Sequence, residues 1–514
     1  MNSLAKSIIY EIYPTSFFDS NNDGIGDLNG IASKLDYVKE LGADIIWLNP
    51  IFESPFRDGG YDVTNYCKVD KKFGTNEDLV KLVKKAHNLG IKVLLDLVIG
   101  HTSDKHHWFK ESQKEKHNKY SDYYIWTDNV FYGGDNTIKG VAKRNANYMV
   151  NFFMFQPALN FGFVGEKDKN GYIKDCPWKM HYTNEKIIPL RNEFIKIIDF
   201  WVKKGVDGFR VDMAPSVIKG GRNIEALKYF WDKIIGESKK KYPNLIFLAE
   251  WGAIEESTKC GFDIDYFTHE SIGYNEAFRS EKGSNILSSF ESGNSYFNIS
   301  KKGNIAPLID YTLKLNNELG KNKYYSIPSG FHDMVRIAAK KDLKMLKCIY
   351  TFLFTYKNVP LLYYGDEIGM KHNYKLNKDG GYVRTGARTP MQWNNEKNRG
   401  FSNAKKLYLS ISKNKNCCVF EQQKNPNSLY NFILNIIRIK KENDVFDFDS
   451  KIQILNKTYP LIYSREKNNK KVLVIINPTN KEVEINYCYK KVLFGKTEIT
   501  DNKIKPLSSV VLSL

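Results

Sequence analysis

The 514-residue sequence predicts an α/β protein, a (β/α)8 (TIM) barrel with an inserted subdomain after strand three and a C-terminal all-β sandwich domain. Three observations lead there. Short apolar runs rich in β-branched residues alternate with longer segments of helical period. The alternation breaks once, over about residues 102–163, where the chain turns aromatic, polar and irregular. From residue 449 it gives way to short alternating strands between Asn, Lys and Pro turns. The expected division is therefore 1–101 and 164–448 for the barrel, 102–163 for the insertion and 449–514 for the sandwich.

The elements follow in order. Ile8–Tyr13 reads as a first strand, Ile31–Leu41 as a helix, Ile45–Leu48 as a second strand, Asn76–Leu89 as a helix and Val93–Val98 as a third strand. These runs alternate little, as strands covered on both faces do. Gly42 and Gly90 stand just past the two helices, where a left-handed residue ends a helix. After the irregular stretch come a helix over Arg191–Lys204 and strands at Gly208–Val211, Leu245–Ala249, Phe262–Asp265, Tyr324–Ile327 and Pro360–Tyr364. Eight strands with room for a helix after each favour a barrel over an open doubly wound sheet. A last helix over Leu429–Lys441 precedes strands such as Val472–Ile476 and Val483–Ile485.

Composition narrows the class of function. The net charge of +19 raises the question of nucleic acid or anionic surfaces, but the lysines are spread along the chain with no nucleic-acid-binding motif beside them. A solvated Lys-rich surface is the expectation, with neither nucleic acid nor membrane as partner. Seven scattered cysteines without a C-x-x-C argue against a disulfide framework. No stretch of 18 apolar residues occurs, and the segment before Ile8 lacks the apolar core of a secretory signal. The expected location is the cytoplasm.

Chemistry in such barrels sits where strands end. The fourth strand runs into Arg210-Val211-Asp212, the fifth ends at Glu250, the third ends near Asp96 and His101, and His332-Asp333 follow the seventh. Carboxylates gathered on one rim repel one another, and glycoside hydrolysis uses them: one attacks the anomeric carbon, another protonates the leaving oxygen. Arg210 lies two residues before Asp212 on the same strand face and is expected to keep it ionised. Glu250, between Phe247-Leu248-Ala249 and Trp251, is expected to be held protonated by burial.

GYDVTNY, DLVIGH, GFRVD, LAEWG, His332-Asp333 and YYGDEIGM, in that order along the chain, resemble the motifs of the α-amylase superfamily, glycoside hydrolase family 13. DSNNDGIGDLNG, QPALN and RTPMQW are most similar to its oligo-1,6-glucosidase and α-glucosidase branch. The resemblance implies a retaining glycoside hydrolase acting on short α-glucosides. Asp212 would be nucleophile, Glu250 acid/base and Asp333 transition-state stabiliser. His101, His332 and Arg210 would line the glucose subsite, Tyr61 would stack on the sugar, and Asp62 and Arg388 would grip its far hydroxyls, with Arg384 a competitor of Arg388. The same intermediate also serves glucosyl transferases, isomerases and phosphorylases, and the charge mildly favours a phosphorylated disaccharide; a non-catalytic binding subunit is the further alternative.

Four positions depart from the family pattern. Gly100 replaces the Asn that usually precedes the third-strand His and that ligates calcium in many amylases. Phe331 replaces the Asn that commonly precedes His-Asp. Ala158 stands where the branch shows Asp, and Met213, after the nucleophile, matches neither usual residue at a position tied to linkage preference.

Asp19-Ser-Asn21-Asn-Asp23-Gly24-Ile25-Gly-Asp27 spaces oxygen donors at every second residue, like the start of an EF-hand loop, but position twelve is Gly30 rather than Glu. The branch carries a similar loop. That likeness implies a structural Ca2+ held by Asp19, Asn21, Asp23, the Ile25 carbonyl and Asp27, with no organic cofactor. A metal-free Asx-rich turn is the alternative.

Overall fold

A computed structural model describes residues 4–132, 134–300, 302–411 and 417–514. Eight strands follow in chain order: β1 (Ile9–Ile12), β2 (Ile45–Leu48), β3 (Lys92–Leu97), β4 (Gly208–Val211), β5 (Ile246–Ala249), β6 (Ile264–Tyr266), β7 (Tyr324–Ser326) and β8 (Leu361–Tyr363). Helices between and after them include α1 (Leu28–Ser33), α2 (Leu35–Glu40), α3 (Asn76–Asn88), α4 (Ile188–Val202), α5 (Leu343–Thr355) and α6 (Leu429–Glu442). The first expected helix is two, meeting at Lys34 (φ −106°, ψ 6°), and it begins early because Asp27 caps it by accepting from Gly30 N–H. Helix α4 also starts ahead of its apolar period. Pro189 sits in its first turn, where a missing N–H is harmless.

The chain divides into two compact units, one of Met1–Ile46, Ala86–Ile91 and Tyr266–Leu514, the other of Trp47–Lys85 and Lys92–Asp265. In the second unit β3, β4, β5 and β6 pair in parallel, with Arg210 in register with Asp96 and with Leu248. Leu94, Leu95, Phe209, Val211, Phe247 and Leu248 are completely buried, which is why these runs show no alternation. Gly208 is required by close approach: a Cβ there would lie 2.1 Å from the Ile246 carbonyl oxygen. The irregular stretch contributes a helix over His107–Ser112 and paired strands Thr137–Ile138 and Tyr148–Met149, and a further hairpin, Tyr172–Ile173 with Cys176–Met180, follows. Ile125, Ala158 and Phe163 form the core of this region, with Met149, Ile173 and Trp178 packed on it.

In the first unit β1 pairs in parallel with β8, Ile9 facing Leu361 and Glu11 facing Tyr363. The C-terminal part is an antiparallel sheet of β9 (Lys451–Lys457), β10 (Leu461–Lys467), β11 (Lys470–Asn477), β12 (Lys491–Phe494) and β13 (Ser508–Ser513), in the order β9-β10-β11-β13-β12. A small three-stranded sheet accompanies it, and Ile462, Leu473, Ile475, Ile485, Ile504, Val510 and Leu512 form the core they share. Helix α5 is tied to the larger sheet by Thr351 Oγ1 to Ser509 Oγ (2.6 Å) and Thr355 Oγ1 to Tyr463 Oη (2.7 Å). Among the described residues no helix is long and apolar enough to cross a membrane.

Candidate active site

The in-register pairing of β3 and β4 sets Arg210 beside Asp96, and the strand ends deliver Asp212 and Glu250 one residue beyond. Arg210 is fully buried. Its Nη1 donates to Asp96 Oδ1 (2.6 Å) and to Asp212 Oδ1 (3.1 Å), and its Nη2 pairs with Glu250 Oε2. Glu250 Oε2 also accepts from the backbone N–H of Met213 (2.9 Å), a left-handed residue at φ 39°. Asp96 is held further by Trp47 Nε1 (3.1 Å) and by the Tyr61 hydroxyl (3.0 Å). One guanidinium thus serves three carboxylates.

That ratio overturns one expectation. Arg210 does not hold Asp212 in the ordinary carboxylate range. Burial raises the Asp212 carboxyl well above it, and the Glu250 and Asp96 charges add to the rise against the pull of Arg210. Asp96 shifts the same way, again through burial first.

Tyr61 is buried with its ring 5.7 Å from the Arg210 guanidinium, and its carbonyl accepts from His101 Nε2 (3.2 Å). Asp62 is turned into the loop before it: its carboxylate accepts from Ser54 Oγ (2.9 Å), from the backbone N–H of Asp58 (3.2 Å) and Arg57 (3.2 Å), and from Arg57 Nε (3.4 Å). Burial raises its pKa as well. Ala158 lies in the apolar core with Ile125 and Phe163.

In the other unit Asp333 meets the opposite balance. Arg388 Nη2 pairs with its Oδ1, Arg384 Nη1 donates to its Oδ2 (3.0 Å), and His332 Nε2 lies 3.5 Å from Oδ1. Although burial works against ionisation, the charges of Arg384, His332 and Arg388 hold this carboxyl well below the usual range. The two arginines are not equal: Arg388 is buried, donates from Nε to the His332 carbonyl (3.1 Å) and lies over the Tyr13 ring, whereas the Arg384 side chain is one-fifth exposed. Sequence reasoning missed Glu11, whose Oε1 accepts from both His332 N–H (3.2 Å) and His332 Nδ1 (2.8 Å). The signal available was an acidic residue inside an otherwise apolar strand. Phe331 packs edge-on against Tyr266 at 5.2 Å and against His332 at 5.9 Å.

The loop after β1 is closed by its own hydrogen bonds. Asp19 accepts from the backbone N–H groups of Asn22 (2.7 Å), Gly24 (2.8 Å) and Asn21 (3.1 Å) and from Ser402 Oγ (2.5 Å). Asp27 accepts from Ser20 and Gly30, while Asp23 and Asn21 bond each other. The donor chemistry, oxygen throughout, suits a hard cation. Among the described residues no three His, Cys, Asp or Glu side chains form a metal cluster.

A barrel whose strand ends carry an Asp and a Glu beside a shared arginine defines a carboxylate-based glycosidase. Residues 11–449 match the α-amylase catalytic domain. The chain is 30% identical to an oligo-1,6-glucosidase of Heyndrickxia coagulans over 92% of its own length and 91% of the relative's. It is 31% identical to a glucan 1,6-alpha-glucosidase of Streptococcus pneumoniae, over 93% and 92% of the two chains. The trehalose-6-phosphate hydrolase of Bacillus licheniformis superposes with a TM-score of 0.80 at 25% identity, over 99% of both chains. The chain therefore belongs to the α-amylase family, glycoside hydrolase family 13, is a glycosidase, and has the (β/α)8 barrel with a C-terminal β-domain.

Proposed function

We propose that this glycosidase hydrolyses the terminal α-glucosidic bond of short oligosaccharides by double displacement, with Asp212 as nucleophile and Glu250 as acid/base. The observation that carries the assignment is the pairing of both carboxylates to Arg210 at adjacent strand ends. In the first step an Asp212 oxygen bonds to the anomeric carbon as the glycosidic C–O bond breaks, and Glu250 gives its proton to the departing oxygen. In the second, water gives a proton to Glu250 and its oxygen displaces Asp212, returning glucose with its original configuration. Asp212 must be ionised to attack while Glu250 holds the proton, so the raised Asp212 carboxyl has to lose its proton before the first step. Asp333, kept negative by two arginines, is the stabiliser of positive charge on the sugar in the transition state. Tyr61, Asp62, His101, Arg210, His332 and Arg388 are the sugar-holding residues of this reading. Arg388 is preferred to Arg384 because it is the buried member of the pair.

The substrate is a small α-glucoside oligosaccharide, and nucleic acid has no part in the reading. The seven cysteines, all free thiols, suit a reducing cytoplasm. A structural Ca2+ in the Asp19–Asp27 loop would be held by Asp19, Asn21, Asp23, the Ile25 carbonyl and Asp27, where it would brace the loop without joining the chemistry. Thermal unfolding with Ca2+ and with EDTA decides this. A shift lost in Asp23→Ala supports the ion, and superimposable curves reject it.

The test of function is product analysis on maltose, isomaltose, sucrose, trehalose, trehalose 6-phosphate, maltotetraose and starch, beside Asp212→Asn. Glucose released from short substrates, and lost in the variant, is the expected result and names the linkage. Unchanged activity in Asp212→Asn rejects the nucleophile. A rearranged disaccharide in place of glucose would mark a transferase or isomerase, glucose 1-phosphate formed only when inorganic phosphate is added would mark a phosphorylase, and glucose 6-phosphate from trehalose 6-phosphate would mark a phosphorylated substrate.

A further inference from the structure

Gly100 leaves a gap that another residue fills. A Cβ built on Gly100 would lie 2.6 Å from Asn151 Nδ2 and 3.3 Å from Ser216 Oγ. The Asn151 amide, which arrives from the irregular stretch after β3, therefore occupies the space that a side chain at position 100 would take. We infer that Asn151 is a positioning residue that, oriented by Lys219, fixes the tautomer of His101 in place of the side chain absent at Gly100. The functional half of this inference rests on the reading of His101 as a sugar-holding residue.

The hydrogen-bond chemistry admits one arrangement. Lys219 Nζ donates to Asn151 Oδ1 (2.6 Å) and to the Ser216 carbonyl (2.6 Å). An ammonium only donates, so the amide oxygen must face it and the amide NH2 must face the other way. That NH2 lies 3.1 Å from His101 Nδ1, and since it too only donates, Nδ1 must offer its lone pair. The imidazole proton is then on Nε2, where it meets the Tyr61 carbonyl at 3.2 Å. The ring is buried, and the edge of Phe152, the residue next to Asn151, covers it at 5.8 Å. Burial, with the Lys219 charge adding to it, pushes the His101 pKa down to about 3. Lys219 thus acts twice, turning the amide and discouraging a second proton on the ring.

The relay makes Asn151→Asp the informative variant, because it keeps the shape and the Lys219 partner but presents an acceptor to Nδ1. The protein is labelled with 15N-histidine, and the His101 resonances are identified by their loss in His101→Gln. Wild type should show the Nε2–H tautomer, and Asn151→Asp should bring a proton to Nδ1, either in place of the Nε2 proton or, with the Tyr61 carbonyl still accepting from Nε2, beside it. Asn151→Ala and Lys219→Met should give mixed tautomers, with kcat/KM on short α-glucosides reduced about 10- to 100-fold, the usual loss when a residue orienting a functional side chain is removed. Gly100→Asn combined with Asn151→Ala should regain most of that activity and the Nε2–H tautomer, whereas Gly100→Asn alone, with two side chains in one space, should not. An unchanged tautomer in both Asn151 variants overturns the inference. So does a double variant that folds with a wild-type melting point yet recovers neither property. Full activity in His101→Gln instead rejects His101 as a sugar-holding residue, and leaves the tautomer measurement to judge Asn151 by itself.

Discussion

Two carboxylate clusters in this molecule carry opposite ratios of charge. Around Arg210, three carboxylates share one guanidinium. Around Asp333, one carboxylate has two guanidinium groups and an imidazole. Both are largely removed from water, so desolvation opposes ionisation in each. The ratio decides which way the balance falls: in the first cluster the Asp212 and Asp96 carboxyls are raised, while in the second Asp333 stays charged. A residue that only stabilises positive charge needs the second balance, whereas Asp212 in the first has to be freed of its proton before it can attack.

Replacing each acid by its amide tests the comparison most severely. Asp212→Asn should abolish turnover, with a loss on the order of 10^4-fold or more, as removal of a nucleophile does. Its fold should hold, because a group already biased toward its neutral form loses little when made permanently neutral. Asp333→Asn should cost less activity, about 10^2- to 10^3-fold, the scale of a lost electrostatic stabiliser. Its melting point should drop, since Arg384 and Arg388 then face each other with no anion between them. Kinetics and calorimetry on both variants check this, and an equal thermal effect would remove the distinction.

The arginines come next. Arg388→Lys should lower kcat/KM about tenfold more than Arg384→Lys, because the buried fork serves Asp333 and the His332 carbonyl together, and a lysine cannot reproduce it. The reverse order would exchange their roles.

Titration separates the clusters without a functional assumption. Asp333 has its folded pKa depressed, so the unfolded chain binds more protons; its stabilisation is complete above the unfolded pKa of about 4 and fades as pH falls through the folded value. Asp212 has its folded pKa raised, so the native state binds more protons and stability falls as pH rises from about 4 through the folded value. Between pH 4 and 7 the melting point of wild type relative to Asp212→Asn should decline. The same comparison with Asp333→Asn should show its change below pH 4.

Much of this was legible from sequence, for physical reasons. Leu94, Phe209 and Phe247 are buried on both faces, so their runs announced parallel strands. Gly208, Arg210 and Asp212 share one short segment, and strand geometry alone sets Arg210 and Asp212 on one face. What stayed hidden depends on contacts between distant segments. Glu11 and His332 are 321 residues apart, and Asn151 gains meaning only once Gly100 is seen to leave it room. The protonation of Asp212 was misread because spacing showed its nearest arginine but not the two other carboxylates bonded to that arginine.

The smallest expected effect concerns Met213, the residue where the three-carboxylate cluster touches strained backbone. A side chain at φ 39° is held in the left-handed region that favours glycine, and its N–H is one of the two donors to Glu250 Oε2. Val is β-branched and tolerates that conformation worse than Met, so Met213→Val alters side-chain shape and backbone together. Met213→Gly relaxes the strain and keeps the N–H, while removing the side chain altogether. If the side chain sets linkage preference, Met213→Gly and Met213→Val should both shift the isomaltose-to-maltose ratio of kcat/KM by about tenfold, the discrimination that small apolar contacts supply. If the position acts only by aiming its N–H at Glu250, Met213→Val should lower both activities together and Met213→Gly should leave the ratio where it was.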